Sequence, residues 1–130
     1  VCGGGQPAGL QKGYFVEPTI FDNVSPDMKI SREEIFGPVV TITRFKTEAE
    51  AIELANGLGF GLVAGIQTSN ISRALKLIRK LEAGSVWING WGMGGVQAPT
   101  GGIKDSGIGK ERGIAGIRNY LHEKNVAIRL

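Results

Sequence analysis

The sequence predicts an α/β fold in which a parallel-type sheet is flanked by helices. Residues 39–45 (VVTITRF) form the clearest strand, because β-branched and aromatic side chains fill the run. Two further short apolar runs, 62–66 and 85–89, are separated by an amphipathic segment. Strands that alternate with capped amphipathic helices are typical of parallel βαβ units.

The chain before residue 39 predicts broken strands and a turn. Residues 14–24 are strand-like but contain Pro18, which indicates an edge or a break. Pro38 biases Gly37 away from helical geometry. We therefore expect the chain to leave a turn or helix end there and to enter the strand at Val39.

The first predicted helix follows that strand. Thr47 and Glu50 have the spacing of a capping box, and Gly57 or Gly59 is expected to end the helix. The side chains expected to face the sheet are Ala51, Ile52, Ala55 and Leu58.

The second predicted helix begins at Ser69 or Asn70 as its cap and ends at Gly84. Its apolar stripe consists of Ile71, Ala74, Leu75, Ile78 and Leu81. Open α/β sheets bind ligands beyond the carboxyl ends of their strands. The loop that starts at Asn89, after the third strand, is therefore the place where we expect chemistry.

The two ends of the chain differ in pattern. Residues 1–12 lack periodicity and predict a mobile lead-in. Residues 112–121 have a helical pattern, and 125–130 alternate like a terminal strand. The apolar side chains on one face of that last helix are Ile114, Ile117 and Leu121.

Composition indicates one globular domain. A chain of 130 residues can bury one core, and 42% hydrophobic with 21% charged residues is ordinary for a soluble protein. The net charge of +3 is too small to indicate nucleic-acid binding. No apolar run is long enough for a membrane span, and a single cysteine fits a reducing compartment, so we expect a cytoplasmic protein.

Glu34 and Phe36 are the first candidate site residues. At a junction between a turn and a strand, a carboxylate and a ring two positions apart can point into one cleft. The carboxylate would accept hydrogen bonds from sugar hydroxyls and the ring would lie flat against another ring. The alternative is that Phe36 belongs to the core and the glutamates to a solvated turn.

Six ordered segments, one of which contains this motif, extend the pattern over most of the chain. They are 13–21 (GYFVEPTIF), 27–30 (DMKI), 32–40 (REEIFGPVV), 59–62 (GFGL), 84–89 (GSVWIN) and 99–111 (PTGGIKDSGIGKE). The series resembles the C-terminal part of NAD(P)-dependent aldehyde dehydrogenases, from about Gly13 to the end. The resemblance implies part of that family's catalytic domain at 13–120, after the lead-in, and a terminal oligomerisation strand at 121–130.

The resemblance also implies a cofactor and a role for the motif. Glu34 would accept hydrogen bonds from both hydroxyls of the nicotinamide ribose of NAD or NADP, and Phe36 would back the nicotinamide ring. The glycine-rich stretch 101–113 matches neither the dinucleotide fingerprint nor a Walker loop. The residues expected to fix its backbone and its salt-bridge geometry are Ser106, Lys110 and Glu111.

The aldehyde pocket is expected in the loops after the third strand. By resemblance, Trp91, Met93 and Thr100 line it, and Asn89 orients the loop. Thr100 departs from the family pattern, where an aromatic residue is usual, and this suggests a wider or more polar pocket. The alternatives are that Trp91 and Met93 only cover the sheet end and that Asn89 only forms a turn.

No catalytic residue is assigned in this chain. The family's cysteine nucleophile and glutamate base are expected upstream, and Cys2 lies too close to Glu34 to be the nucleophile. The lone His122 indicates no metal site. We therefore expect one piece of a longer enzyme that is inactive alone, acts with the remainder of that chain on an aldehyde, and forms a homo-oligomer.

Two other function classes compete with the enzyme. A non-enzymatic α/β interaction or oligomerisation module would pair its terminal strand with a partner edge. A glycine-rich nucleic-acid binder is disfavoured, because Trp91 is the only ring in the glycine-rich loop that could stack on bases.

Overall fold

Strands pair in twos in this protein, and their partners come from distant segments. The computed structural model describes all residues, 1–130. The elements in chain order are β1 (Thr19–Phe21), α1 (Lys29–Arg32), β2 (Val39–Thr41), α2 (Glu48–Asn56), β3 (Phe60–Gly61), β4 (Val63–Ile66), α3 (Ile71–Leu77), β5 (Ser85–Ile88), β6 (Ile103–Lys104) and α4 (Gly113–Arg118). The chain divides into two compact units, Val1–Leu54 and Ala55–Leu130. None of the helices has the length and apolar character of a membrane span.

In the first unit, β1 and β2 are parallel, with Thr19 opposite Val39. The other edge of β1 is also used, because Cys2 and Ile20 exchange backbone hydrogen bonds of 2.9 and 2.8 Å. The lead-in, 1–12, is thus paired with β1 at Cys2, and its mobility stays a prediction. A two-stranded pair leaves an open edge of N–H and C=O groups, and the lead-in satisfies part of it.

In the second unit, β4, α3 and β5 form the predicted parallel βαβ unit. Val63 lies opposite Ser85, and Ile66 lies opposite Ile88. The connecting helix packs through Ala74, which has no exposed surface. The carboxyl end of β5 then leads directly into the loop that starts at Asn89.

The third strand pair is antiparallel, which the sequence did not predict. Phe60 lies opposite Lys104, in two-residue strands too short to show alternation. The Lys104 ammonium adds a long-range contact, since it donates to the carbonyl oxygens of Asn56 and Leu58 at 2.8 and 3.2 Å. It also pairs with the Glu82 carboxylate at 2.6 Å. The single parallel sheet that the sequence predicts is thus replaced by separate two-stranded pairs.

Both predicted helix caps are confirmed. The Thr47 hydroxyl accepts from the Glu50 amide at 3.2 Å, and the Asn70 side chain accepts from the Arg73 amide at 2.9 Å. The reciprocal half of the capping box is shifted by one residue. The Glu50 carboxylate accepts from the backbone N–H of Lys46 at 2.7 Å rather than from that of Thr47.

The helix ends follow the sequence only in part. As predicted, α2 ends immediately before Gly57, whereas α3 ends at Leu77 and not at Gly84. The side chain of Asn56 explains the early end of α3. Its amide donates to Lys80 O at 2.8 Å and accepts from Glu82 N at 2.9 Å, so these groups are bonded outside the helix.

Burial is much lower than the sequence predicts. Strand β2 covers only the first three residues of 39–45, and Val40 is 58% exposed. Within the predicted stripe of α3, Ile71 and Leu75 are at least half exposed, and Ala55 of α2 is exposed. The buried apolar residues are Val24, Ile66 and Ala74. The expectation of one full core is therefore wrong, because apolar faces of these elements have no covering layer within the chain.

The C-terminal segment forms no helix or strand after α4. Residues 121–130 make no backbone pairing within the chain beyond the turn that bonds Leu121 to Arg118. A strand needs a second backbone, and none is supplied here. The terminal oligomerisation strand therefore stays a prediction.

Candidate functional site

A cavity of about 340 Å³ lies in the first unit, between α1 and β2. Glu34 and Phe36 both line it, together with Val39 and Thr41 of β2. Two residues selected from the sequence therefore border one space, and the strand that follows them forms part of its wall.

The two neighbouring carboxylates at this cavity have different environments. Glu33 caps α1 through its backbone N–H, and its carboxylate pairs with Lys29 at 3.6 Å. The Glu34 side chain forms no hydrogen bond or ion pair within the chain. Both of its oxygens are therefore available to accept hydrogen bonds from a ligand.

Phe36 is held in an unusual backbone conformation. Its φ is 55°, in the left-handed region, and its side chain is 92% exposed. Such a conformation costs about 1 to 3 kcal/mol for a bulky residue and is enriched at ligand clamps. The strain turns an aromatic ring outward at the cavity instead of into a core.

Polar contacts around α1 stabilise the turn and helix that precede Glu34 and Phe36. The hydroxyl of Ser25 donates to the carboxylate of Asp27, and this bond lowers the pKa of Asp27 below its ordinary value. The guanidinium of Arg32, at the end of α1, donates to Pro26 O at 2.8 Å. The turn and the helix end are thereby tied together beside Glu34.

Asn89 connects the end of β5 to the segment after β4. Its side-chain oxygen accepts from Thr68 N and its side-chain nitrogen donates to Thr68 O, both at 2.8 Å. Its own N–H donates to Ile66 O at 2.8 Å. With φ at 53°, Asn89 turns the chain at the strand end, and asparagine tolerates that conformation better than most residues.

Trp91 and Met93 lie together in the loop after β5. Trp91 is 70% exposed, and its ring meets Trp87 edge-on with centroids 4.8 Å apart. Met93 folds back over Gly90, where a Cβ atom would lie 2.6 Å from its sulfur. These side chains present an aromatic and a thioether surface at the carboxyl end of the β4–β5 pair.

Thr100 is held by backbone pairing. Its N–H donates to Glu111 O at 2.9 Å, and its carbonyl accepts from Glu111 N at 2.7 Å. The Lys110 ammonium donates to the carbonyl oxygens of Gly101 and Gly102 at 2.7 and 2.8 Å. The predicted clamp is confirmed as a backbone clamp, with Ser106 Oγ accepting from a β3 amide at 3.0 Å. Its salt-bridge part is wrong, because Lys110 is directed at carbonyl groups.

The structure therefore groups the candidates in two sets. The pair Glu34 and Phe36 belongs to the first unit, while the loop residues and Thr100 belong to the second. Sequence reasoning missed Trp87 and Thr68, which hold the loop residues in place. Their role depends on neighbours brought together by β4 and β5, and the only signal was the position of Trp87 within a strand and of Thr68 shortly after one.

Comparison with known proteins shows which family this chain is similar to. A model described as the aldehyde dehydrogenase family matches residues 1–126, so the match includes the lead-in that the motif series left out. An aldehyde dehydrogenase of Emericella nidulans is 49% identical, over 100% of this chain and 26% of its own length. A betaine aldehyde dehydrogenase of Brucella anthropi is 48% identical, over 99% of this chain and 27% of its own length.

Solved structures give the same result. An indole-3-acetaldehyde dehydrogenase of P. syringae, in complex with NAD+ and IAA, is 44% identical with a TM-score of 0.93. It is matched over 100% of this chain and 26% of its own. An aldehyde dehydrogenase of Mycobacterium tuberculosis in complex with NAD+ is 41% identical with a TM-score of 0.87. It is matched over 92% of this chain and 25% of its own. The chain spans about a quarter of the length of these relatives. It belongs to the aldehyde dehydrogenase family.

Proposed function

We propose that this chain is the C-terminal part of an NAD(P)-dependent aldehyde dehydrogenase that oxidises an aldehyde to a carboxylic acid. In this role it supplies the contacts to the nicotinamide ribose and part of the aldehyde pocket. One observation carries the proposal: Glu34, with an unpaired carboxylate, and Phe36, with an outward ring, border the same cavity.

The residues at this cavity fit a nicotinamide riboside. A carboxylate can accept from two vicinal hydroxyls at once, and a phenyl face can lie against a flat ring. The volume of about 340 Å³ is at the lower end of the range for small-molecule sites. When bound, NAD(P) accepts the hydride that leaves the aldehyde. Glu34 orients the ribose, and such positioning can contribute several kcal/mol.

The aldehyde pocket is assigned to the loops of the second unit. Trp91 and Met93 would supply its apolar wall, and Thr100 a smaller and more polar side. Asn89 would hold the loop at its start through the two bonds to Thr68. A pocket with both apolar surface and one hydroxyl accommodates the apolar body of an aldehyde next to its polar carbonyl group.

The exposed surface supports a role within a larger protein. The chain exposes 10659 Å², whereas a globular monomer of its 13.8 kDa is expected to expose about 6,600 Å². Even two separate domains of half that mass would expose only about 8,000 Å². We infer that the rest of the enzyme, and neighbouring subunits of a homo-oligomer, cover the difference. The cytoplasmic location stays a prediction.

The test is Glu34→Gln in the full-length enzyme. Glutamine keeps the shape, but charge-assisted hydrogen bonds are about twice as strong as neutral ones. We expect single-turnover hydride transfer to slow about tenfold, which corresponds to about 1.4 kcal/mol, while cofactor affinity changes little. Glu33→Gln is the matched control, because that carboxylate is already paired with Lys29.

An unchanged rate of hydride transfer in Glu34→Gln would contradict the assignment, and so would an equal loss in Glu33→Gln. A second measurement tests the division of labour. The purified 130-residue chain is expected to produce no NADH or NADPH from a panel of aldehydes, because the nucleophile and base are expected in other segments of the enzyme. Turnover by the isolated chain would refute that division.

A further inference from the structure

The indole of Trp87 makes the only hydrogen bond that reaches residues 90–94. Its Nε1–H donates to Met93 O at 2.8 Å. The neighbouring bonds begin outside this stretch, at Asn89 on one side and at Gly95 on the other. A single side chain of the preceding strand therefore ties down the middle of the loop.

The same indole also supports the ring of Trp91. The two rings meet edge-on, with centroids 4.8 Å apart and planes at 61°, a favoured aromatic geometry. In the parallel register, Gly65 of β4 lies beside Trp87. A Cβ atom at Gly65 would be 3.5 Å from the Trp91 ring, so this ring lies over the space where β4 has no side chain.

The loop needs such support because of its composition. Four of the six residues 90–95 are glycine, and Gly92 and Gly94 have φ of 66° and 131°. Glycine loses more conformational freedom on ordering than any other residue. Fixed contacts to a rigid strand offset that entropic cost, and β5 is such a strand because it pairs with β4 along its full length.

We infer that Trp87 is a positioning residue for the aldehyde pocket, and this inference rests on the function proposed above. The hydrogen bond fixes the position of the Met93 backbone relative to β5, and the ring contact fixes the orientation of Trp91. Trp87 itself is half-buried in β5 and acts on the aldehyde through these two residues. Its replacement alters substrate recognition while it leaves the Glu34 cavity unchanged.

The test compares Trp87→Phe with Trp91→Phe in the full-length enzyme. Phenylalanine at 87 keeps an aromatic ring but removes the N–H donor, whereas Trp91→Phe keeps the bond to Met93. A neutral hydrogen bond of ordinary strength corresponds to a change of about fivefold. We expect Trp87→Phe to raise the KM for the aldehyde about fivefold, with kcat and the KM for NAD(P) nearly unchanged.

A crystal structure of each variant provides a readout that does not depend on activity. In Trp87→Phe, residues 90–94 are expected to be displaced or disordered, whereas in Trp91→Phe they keep their path. A Trp87→Phe loop that superposes on the wild-type loop would overturn the inference. If the wild-type enzyme oxidises no aldehyde, the proposed function fails, and the crystal structures still decide whether Trp87 positions the loop.

Discussion

The two-bond link between Asn89 and Thr68 can be dissected with three substitutions. The Asn89 side chain both accepts from Thr68 N and donates to Thr68 O, each at 2.8 Å. Asn89→Ala removes both bonds and leaves a β-carbon at φ 53°. Asn89→Gly removes both bonds without a β-carbon. Asn89→Asp keeps the acceptor for Thr68 N but directs a second carboxylate oxygen at Thr68 O.

The expected magnitudes separate side-chain bonding from backbone strain. Two hydrogen bonds contribute about 1 kcal/mol each, so Asn89→Gly is expected to lower the stability of the link to Thr68 by about 2 kcal/mol. Alanine adds about 1 to 2 kcal/mol for the left-handed conformation, so Asn89→Ala is expected to lose about 3 to 4 kcal/mol. Asn89→Asp loses one bond and gains repulsion between oxygen atoms, which places it near the glycine variant.

Amide hydrogen exchange at Thr68 directly measures the contribution of the side-chain hydrogen bonds. The Thr68 N–H has its only acceptor in the Asn89 side chain. In the full-length protein we expect its protection to fall about 30-fold in Asn89→Gly, corresponding to about 2 kcal/mol, and further in Asn89→Ala. In Asn89→Asp this amide stays protected, because its acceptor remains.

Asn56 supplies the matched control for this series. Its side chain also makes two hydrogen bonds to the backbone: it donates to Lys80 O and accepts from Glu82 N. Asn56→Ala should therefore reduce protection at Glu82 and leave Thr68 unchanged. Equal losses of protection in Asn89→Gly and Asn89→Ala would show that a β-carbon in the left-handed conformation adds no strain. Loss of Thr68 protection in Asn89→Asp would show that the side-chain acceptor does not protect this amide.

Three further substitutions test the clamp, a close backbone approach and an acid-sensitive contact. Lys110→Met removes the donor to the carbonyls of Gly101 and Gly102 and should lower the free energy of unfolding by about 3 kcal/mol, with partial recovery in Lys110→Arg, as measured by denaturant unfolding. Gly84→Ala should prevent stable folding, measured as the yield of soluble protein, because its Cβ would overlap Gly101 O. The amide of the next residue lowers the pKa of Asp22 below 3.8. The stability from that contact is present above pH 3.8 and lost as pH falls through the lower folded-state pKa, so Asp22→Asn should flatten the stability profile below pH 4.

Local chemistry explains which parts of the fold could be predicted. The caps at Thr47 and Asn70 depend on residues three positions away, and both are confirmed. The βαβ unit follows from the order of its elements. The antiparallel pair of β3 and β6 depends on Lys104, which reaches across more than forty residues to Asn56. No pattern within a short window contains that contact.

The candidate site shows the same division. The Gly37–Pro38 pair marked the junction at which Glu34 and Phe36 border a cavity. Trp87 escaped notice, because an apolar residue inside a strand is most often packing. Its contact with the loop becomes visible only when the path of that loop is known.

Two residues of the candidate site combine a left-handed backbone with different means of support. Asn89 offsets its conformation with two side-chain bonds to Thr68, so its geometry is explained by the fold itself. Phe36 has φ 55° and an exposed ring, and its side chain gains no comparable contact within the chain. Strain without local compensation persists where the surroundings impose it and clusters at ligand clamps. The backbone of Phe36 therefore favours a ligand-binding role over a folding role for this ring.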